Sequence, residues 1–187
     1  MIYIKDDFLD NNLINLLHSN KDEFQEIKTP GKPFWVKEVP FMIMQVVKFE
    51  LEHLEGSRIE PILGFMREAK EGQDRDWRIH NDSIIEGQQP DRAAVLYVSD
   101  DQERMAINGT AFWDHNIHGS TFEGTPEEYD RLLIEDSNDV TKWSLKSIIG
   151  HKKNRLISYP CNYFHSKYPN EFVDSRIVFV MFYKIKK

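Results

Sequence analysis

The sequence predicts a single α+β domain, mainly β, in which an antiparallel sandwich or barrel is buttressed by helices. Three observations support this fold class. Apolar residues recur at helical spacing in the first third of the chain, short apolar segments separated by turn residues follow from Arg58 onward, and 187 residues suffice for one buried core but not for two ordinary domains. We therefore expect helical support over about residues 1–57 and the β-structure over about residues 58–187.

Two helices are predicted in the N-terminal part. The segment "DDFLDNNLINLLHSN" places apolar residues from Phe8 to Leu17 at helical spacing, and aspartates lie near its start. The segment "GKPFWVKEVP", which contains glycine and proline, is expected to be a connector. A second helix should begin after Pro40 and end at Gly56, because glycine favours the left-handed conformation at a helix C-terminus.

The remaining segments predict short strands and up to two further helices. "RIEPILGFMREA", "DWRIHND" and "RAAVLYVS" come first, and the last of these is a continuous apolar run typical of a buried strand. The Asn-Gly pair of "NGTAFW" indicates a turn before the next strand. "TPEEYDRLLIED" predicts a helix with Thr125 as N-cap and Pro126 at the first position, and "DVTKWSLKSIIG" predicts a second short helix. "NRLISYP", "NYFHS" and "SRIVFVMFYK" return to strand character.

The composition argues against several functional classes. A net charge of −7 disfavours a broad nucleic-acid surface, because contact with phosphates needs clustered lysine and arginine. No segment approaches the roughly 20 apolar residues that span a bilayer, and the N-terminal segment lacks a signal-peptide pattern, so a cytoplasmic protein is expected. The single cysteine, Cys161, excludes an internal disulfide and a cysteine-based zinc site, and its surroundings favour a packing role.

The segment "WRIHNDSII" contains two potential metal ligands, His80 and Asp82, among apolar neighbours. On a strand, residues two apart point to the same face, so both side chains could converge on one ion. His165, in the aromatic segment "NYFHS", would supply a third ligand. Two histidines and one carboxylate on one face of a metal, with the opposite positions open, form the site of non-heme Fe(II) oxygenases. Taken alone, His80 and Asp82 could instead form a hydrogen-bonded pair that steadies a turn.

Arg176 stands at the start of a strongly apolar predicted strand. The charge of an arginine is costly to bury unless it is paired. A carboxylate ligand would supply that pairing, since the guanidinium matches a carboxylate in bidentate geometry. A surface acid such as Asp174 is the alternative partner.

Three other histidines are weaker candidates. His115 and His118 lie three residues apart in "WDHNIHGS", but the asparagine, glycine and serine of this segment indicate a loop. They are expected to be loop histidines, and the alternative is that His115 reaches the mouth of the site. His53 is expected on the surface of the second helix.

The order of these residues resembles that of the 2-oxoglutarate- and Fe(II)-dependent dioxygenases, in particular their small prolyl-hydroxylase-like branch. His80-x-Asp82 is followed by "AAVLYVS", "GTAFW" and "NRLISYPCNYFHS", and then by Arg176 in a terminal strand. The resemblance covers roughly residues 58–184 in strand order, whereas the N-terminal helices match only as helical support.

This resemblance implies a double-stranded β-helix, a jelly-roll or cupin-like barrel whose mouth holds the metal. It implies that His80, Asp82 and His165 bind Fe(II), that Arg176 holds the distal carboxylate of 2-oxoglutarate, and that Tyr97 hydrogen-bonds this cosubstrate. With O2 as the oxidant, hydroxylation of an unactivated C–H bond would release succinate and CO2. Prolyl hydroxylases typically use lysine where this chain has Arg176, so a prolyl substrate is not implied. Asp82 argues against the halogenating branch, in which a small residue replaces the carboxylate.

Other functions would use the same residues. A cupin-like jelly roll could bind a metal or a small organic acid without turnover, and a metal-dependent isomerase or hydrolase could use a metal-bound water. The expected partner is a small-molecule or peptide substrate, with no membrane, and the acidic surface disfavours nucleic acid without excluding it. The segment from His115 to Gly150 is predicted to select the substrate, because loops around such barrels carry function. The substrate itself and the oligomeric state are left open.

Overall fold

The structure, a computed structural model, describes residues 1–19, 24–29, 32–69, 72, 76–100, 107–172 and 175–186. Within these residues the chain forms three α-helices and ten β-strands. The helices are α1 (Asn11–Ser19), α2 (Phe41–Glu55) and α3 (Pro126–Glu135). The strands are β1 (Tyr3–Lys5), β2 (Gln25–Thr29), β3 (Lys32–Lys37), β4 (Ile59–Ala69), β5 (Arg92–Tyr97), β6 (Gly109–His115), β7 (Trp143–Gly150), β8 (Leu156–Pro160), β9 (His165–Tyr168) and β10 (Arg176–Ile185).

The strands form two antiparallel sheets. The larger sheet has seven strands in the order β1-β8-β5-β10-β4-β3-β2, and the smaller sheet has three in the order β7-β6-β9. β10 lies at the centre of the larger sheet and pairs with both β4 and β5. The prediction of an α+β fold that is mainly β, with antiparallel sheets, is confirmed.

The two faces of the larger sheet bury different partners, because side chains alternate along each strand. On the outer face, residues of β4, β5 and β10 pack against α1 and α2 in a cluster that includes Val47 and Leu51. On the inner face, residues of β5, β8 and β10 pack against Phe112 and Ile149 of the smaller sheet. The helices therefore cover the outer face, and the smaller sheet packs on the inner face.

The first 57 residues are not only helical. They contribute β1, β2 and β3 to the larger sheet, in addition to the expected helical support from α1 and α2 over about residues 1–57. The predicted connector "GKPFWVKEVP" contains β3, in which Trp35 and Val36 pair with Glu68 and Arg67 of β4. Glycine and proline favour a loop locally, but pairing with β4 is a tertiary effect that local propensity does not show. The single-domain organisation stays a prediction.

Three further details differ from the sequence prediction. "DVTKWSLKSIIG" forms a 3₁₀ turn at Val140–Lys142 and then β7 instead of a helix, because pairing with β6 satisfies its backbone. "DWRIHND" is not a strand, and in it only His80 forms an isolated bridge, to His165. Helix α1 begins at Asn11, so Phe8 is buried ahead of the helix and not on its face.

Helix α2 has the predicted ends. It begins at Phe41, directly after Pro40, and ends at Glu55. Gly56 adopts a φ of 66°, where glycine has no steric cost, and its backbone N–H donates to the Glu52 carbonyl. No helix in the described part of the chain is long and apolar enough to cross a membrane.

Replacement of Thr125 by alanine is expected to lower the free energy of unfolding by about 1 kcal/mol. As predicted, Thr125 caps α3. Its hydroxyl accepts from the Glu128 backbone N–H at 3.3 Å, and the Glu128 carboxylate accepts from the Thr125 backbone N–H at 2.8 Å. Urea denaturation measures the change, and Thr125→Ser, which keeps the hydroxyl, is the matched control. An equal loss in both variants would contradict the capping role.

Candidate metal centre

The three predicted ligands, His80, Asp82 and His165, come together in the structure. Each offers one ligand atom, and these atoms all lie within 4.8 Å of one another. One carboxylate oxygen of Asp82 lies 3.5 Å from His80 Nε2, and the other lies 3.2 Å from His165 Nε2. The sequence prediction of the cluster therefore matches the geometry.

Backbone hydrogen bonds bring the two parts of the cluster together. The His80 N–H donates to the His165 carbonyl at 3.1 Å, and the His165 N–H donates to the His80 carbonyl at 2.8 Å. The Asp82 N–H donates to the Cys161 carbonyl at 2.8 Å, in the turn that precedes β9. The His80–Asp82 segment thus runs beside the start of β9, although it is not itself a strand.

Both imidazoles are oriented as metal ligands. His80 Nδ1 lies 2.6 Å from the Arg78 carbonyl oxygen, and His165 Nδ1 lies 3.0 Å from the Tyr163 carbonyl oxygen. Because a carbonyl oxygen only accepts, each Nδ1 donates to it, which leaves Nε2 as the ring nitrogen that could bind a metal. Such a bond on the far nitrogen is usual for histidines that bind a metal. The donor set, two imidazole nitrogens and a carboxylate, fits a divalent transition metal.

The Asp82 carboxylate and the two imidazoles shift one another's pKa values. Burial alone raises the pKa of Asp82, but the His165 and His80 imidazoles more than reverse this, so its pKa lies well below the usual range. Burial lowers the pKa of His165, and the Asp82 carboxylate outweighs this effect and raises it above its ordinary value. Asp82 therefore remains ionised, as a metal ligand must be.

The backbone around the first two ligands is fixed by neighbouring elements. Arg78 has a φ of 48°, which is uncommon for a non-glycine residue, and its N–H donates to the Asn138 side chain at 2.9 Å. Between the two ligands, the Asn81 N–H donates to the Tyr129 hydroxyl at 2.8 Å, and this hydroxyl donates to the Asn81 carbonyl at 2.9 Å. Tyr129 of α3 thus holds the segment in place. No local pattern links α3 to this segment, so sequence reasoning misses Tyr129.

The three ligands line a cavity of about 480 Å³, a volume typical of small-molecule sites. Part of its wall is the inner face of the larger sheet, through Leu63, Phe65, Val95, Val178, Val180 and Phe182. Ile27 of β2 and Val36 of β3 extend this wall. No residue between His115 and Gly150 lines the cavity, so the predicted role of that segment in substrate selection finds no support.

Arg176 lines the same cavity and is only 6% exposed. Its guanidinium carbon lies 5.4 Å from the Tyr97 ring centroid and 5.3 Å from that of Phe172. Nη2 donates to the Gly109 carbonyl at 3.2 Å, whereas Nε has no hydrogen-bond partner among the described residues.

Burial lowers the pKa of Arg176, because the charged form loses its hydration. No carboxylate in the described part of the chain forms an ion pair with it. The alternative partner Asp174 lies outside the described residues. A buried guanidinium in these surroundings suits an anion that enters the cavity.

Tyr97 lies behind the cavity and is fully buried. Its hydroxyl is 2.8 Å from Thr110 Oγ1 and donates to the Ile149 carbonyl at 3.3 Å. Thr110, which was not among the residues predicted from the sequence, lines the cavity at this point, whereas Tyr97 does not. Gly109 lets β6 approach β7 here, since its φ is 150° and a Cβ would collide with the Ile149 carbonyl. A direct contact of Tyr97 with a cosubstrate stays a prediction.

The other candidate residues lie elsewhere. His115 is buried, with Nε2 3.2 Å from an Asp136 carboxylate oxygen, and its ring stacks on His118. Neither histidine lines the cavity, so His115 does not reach its mouth. His53 is exposed on α2, as expected. Cys161 is buried in the inner core and burial raises the pKa of its thiol, which agrees with a packing role.

Comparison with solved structures shows which proteins share this fold. HygX from Streptomyces hygroscopicus, with nickel, 2-oxoglutarate and hygromycin B bound, matches with a TM-score of 0.63 at 11% identity, over 99% of this chain and 83% of that chain. A viral collagen prolyl hydroxylase from Paramecium Bursaria Chlorella virus-1, in complex with 2-oxoglutarate, gives 0.60 at 11% identity, over 100% and 96%. A Pseudomonas putida prolyl-4-hydroxylase gives 0.57 at 11% identity, over 100% and 93%.

No protein-family model matches the sequence, and no curated protein matches it. The structural likenesses show that the chain has the fold of the 2-oxoglutarate- and Fe(II)-dependent oxygenases. The resemblance seen in the sequence, including the likeness to the prolyl-hydroxylase branch, is therefore confirmed at the level of the fold.

Proposed function

We propose that the protein is an Fe(II)- and 2-oxoglutarate-dependent dioxygenase that hydroxylates an unactivated C–H bond of a small organic substrate. The reaction would convert R–H, 2-oxoglutarate and O2 into R–OH, succinate and CO2. The observation that carries this proposal is one cavity that contains both the His80, Asp82 and His165 cluster and the buried guanidinium of Arg176. The two sheets would form the double-stranded β-helix of this fold.

In this proposal, His80, Asp82 and His165 would hold Fe(II), and a three-residue ligand set would leave room at the metal for 2-oxoglutarate and O2. When bound, the iron and its cosubstrates supply the oxidising chemistry. The Arg78 and Tyr163 carbonyls orient the two imidazoles through Nδ1, so that both Nε2 atoms could bind the metal. Tyr129 fixes the segment between the first two ligands, so the ligand geometry does not depend on the metal alone.

Arg176 would bind the distal carboxylate of 2-oxoglutarate. The Gly109 carbonyl and the rings of Tyr97 and Phe172 position its guanidinium, and its Nε is available to a ligand. Tyr97 would act mainly by orienting Thr110 and Arg176, and Thr110 would contact the cosubstrate. The apolar wall of the cavity would exclude water around the reacting carbon.

The decisive test is anaerobic titration of the protein with Fe(II) and 2-oxoglutarate, observed through the weak visible charge-transfer band of the chelate. We expect the band in the wild-type protein, followed by O2-dependent formation of succinate. If no band appears at saturating ligand, the oxygenase proposal fails. Metal binding without succinate formation would instead favour the cupin-like binding protein or a metal-dependent hydrolase or isomerase.

A further inference from the structure

Tyr159 of β8 lines the cavity, although neither the metal cluster nor the Arg176 site uses its side chain. It is only 2% exposed and belongs to the inner core. Its ring makes an edge contact with the ring of Phe112, with centroids 5.1 Å apart, and its centroid lies 4.8 Å from that of His165. Tyr159 therefore packs in the core and lines the cavity beside a predicted metal ligand.

The Tyr159 hydroxyl forms no hydrogen bond within the part of the chain that the structure describes. The fully buried tyrosines Tyr97 and Tyr183 differ in this respect, since their hydroxyls lie 2.8 Å from Thr110 Oγ1 and 2.7 Å from Ser158 Oγ. Buried hydroxyls are normally hydrogen-bonded, because loss of hydration without a partner is costly. Phenylalanine would fill the same space without this cost. The hydroxyl of Tyr159 therefore indicates a partner that enters the cavity.

Tyr159 and Arg176 stand at opposite ends of the sheet wall of the cavity. Tyr159 is opposite Ala93 of β5, and Ala93 is opposite Phe182 of β10. Arg176 is the first residue of β10, and both it and Phe182 line the cavity. Since the ring of His165 lies against Tyr159, the metal cluster is at the Tyr159 end of this wall.

The surroundings of Tyr159 keep its hydroxyl a neutral hydrogen-bond donor. Burial, and after it the Asp82 carboxylate, raises the pKa of Tyr159 well above its ordinary value, against a smaller lowering by the Arg176 guanidinium. A phenol is protonated at neutral pH even without such effects. A neutral donor at this place suits an acceptor oxygen of a ligand that reaches the metal cluster.

We propose that the Tyr159 hydroxyl donates a hydrogen bond to the keto-acid end of 2-oxoglutarate, while Arg176 binds the distal carboxylate. This inference rests on the proposed function, in which the keto-acid end faces the metal cluster. The carboxylate and the ketone of that end carry acceptor oxygens only, and a hydrogen bond to a carboxylate is stronger than one between neutral groups. Tyr159 and Arg176 would thus fix the two ends of the cosubstrate and set its orientation in the cavity.

The test compares the whole wild-type chain with Tyr159→Phe, which removes only the hydroxyl. Both proteins are titrated anaerobically with 2-oxoglutarate at saturating Fe(II), and the charge-transfer band gives the dissociation constant and the position of the band maximum. We expect Tyr159→Phe to raise the dissociation constant at least fivefold. We also expect a shifted maximum, because the band arises at the chelating end of the ligand. A dissociation constant within twofold of the wild type overturns the proposal, since the hydroxyl would then serve another ligand.

Tyr183→Phe is the matched control for loss of a buried hydroxyl. Tyr183 belongs to the outer core, does not line the cavity, and its hydroxyl donates to Glu55 at 2.5 Å. We expect wild-type 2-oxoglutarate affinity and band position in this variant, with a lower Tm, because Glu55 and Ser158 lose a partner. Tyr159→Phe should have the Tm of the ligand-free wild type or a higher one. A fall in Tm as large as that of Tyr183→Phe would show a structural role for the Tyr159 hydroxyl and overturn the proposal.

Two further results are separated by the same titration. If Tyr159→Phe weakens binding of 2-oxoglutarate but leaves the band maximum in place, the hydroxyl contacts the distal end and the assignment to the keto-acid end is overturned. If the wild-type protein gives no band at saturating ligand, the proposed function itself fails, which is a distinct outcome. Calorimetric titration of the Ni(II)-loaded proteins measures the same change in affinity without turnover.

Discussion

Replacement of Asp82 by alanine is expected to abolish succinate formation and to weaken metal binding by more than about 100-fold. Loss of a residue that only hydrogen-bonds to a metal ligand already reduces metal affinity by about 10- to 100-fold, and Asp82 is a proposed ligand itself. Asp82 is the anionic member of the cluster and lies 3.5 and 3.2 Å from the two imidazole Nε2 atoms. Without it, two neutral imidazoles would have to hold a dication in a cavity that is also lined by Arg67 and Arg176. Coulomb repulsion would then oppose the metal that the carboxylate attracts.

Thermal unfolding with Ni(II), which is not oxidised by air, measures this effect without any need for turnover. At a metal concentration of about 100 times the dissociation constant, binding stabilises the folded state by about 2.7 kcal/mol. For a chain of this size that corresponds to a rise in Tm of roughly 5 to 10 °C. We expect this rise in the wild-type protein and in His53→Ala, whose exposed histidine lies outside the cavity. Asp82→Ala and His165→Ala should show little or none of it, and a wild-type response in either variant would contradict the assignment.

The proximity of His80, Asp82 and His165 was predictable from the sequence because its signals are local and ordered. A His-x-Asp pair among apolar residues and a histidine in an aromatic segment can be recognised without knowing the fold. The expected cause of the convergence of His80 and Asp82, a shared face of one strand, is not what the structure shows. His80 and Asp82 do not share a strand, and their convergence depends on backbone pairing with His165 and Cys161, which are about 80 residues away in sequence.

Residues that act through tertiary contacts were not predictable. Tyr129 holds the backbone between two ligands from a surface helix, and its surroundings in sequence contain only helix signals. Arg67 lies in a strand of mixed composition, and only the alternation of β4 against β10 shows that it faces the cavity. The contribution of β2 and β3 to the cavity wall was hidden in the same way, because strand pairing decides their structure more than local propensity does.

Replacement of Arg176 by methionine is expected to change cosubstrate binding and folding stability in opposite directions. Removal of a cation that binds a carboxylate typically costs 2–5 kcal/mol or more, so the affinity for 2-oxoglutarate should fall by about 30-fold to more than 1,000-fold. The ligand-free protein should be as stable as the wild type or more stable, because an apolar side chain of similar volume replaces a buried charge that has no described carboxylate partner.

The opposite changes in 2-oxoglutarate affinity and folding stability distinguish an arginine that binds a ligand from one that only supports the fold. If Arg176 serves only the fold, methionine lowers the free energy of unfolding and leaves the dissociation constant of 2-oxoglutarate unchanged. Arg176→Lys retains the charge but not the two parallel donors, so its affinity should lie between those of the wild type and the methionine variant. Urea denaturation without ligand and anaerobic titration with 2-oxoglutarate measure the two quantities on the same three proteins. Since the proposed Fe(II) site is His80, Asp82 and His165, the affinity for Fe(II) in the absence of 2-oxoglutarate should be nearly equal in all three proteins. An equal affinity would place any loss at the distal carboxylate.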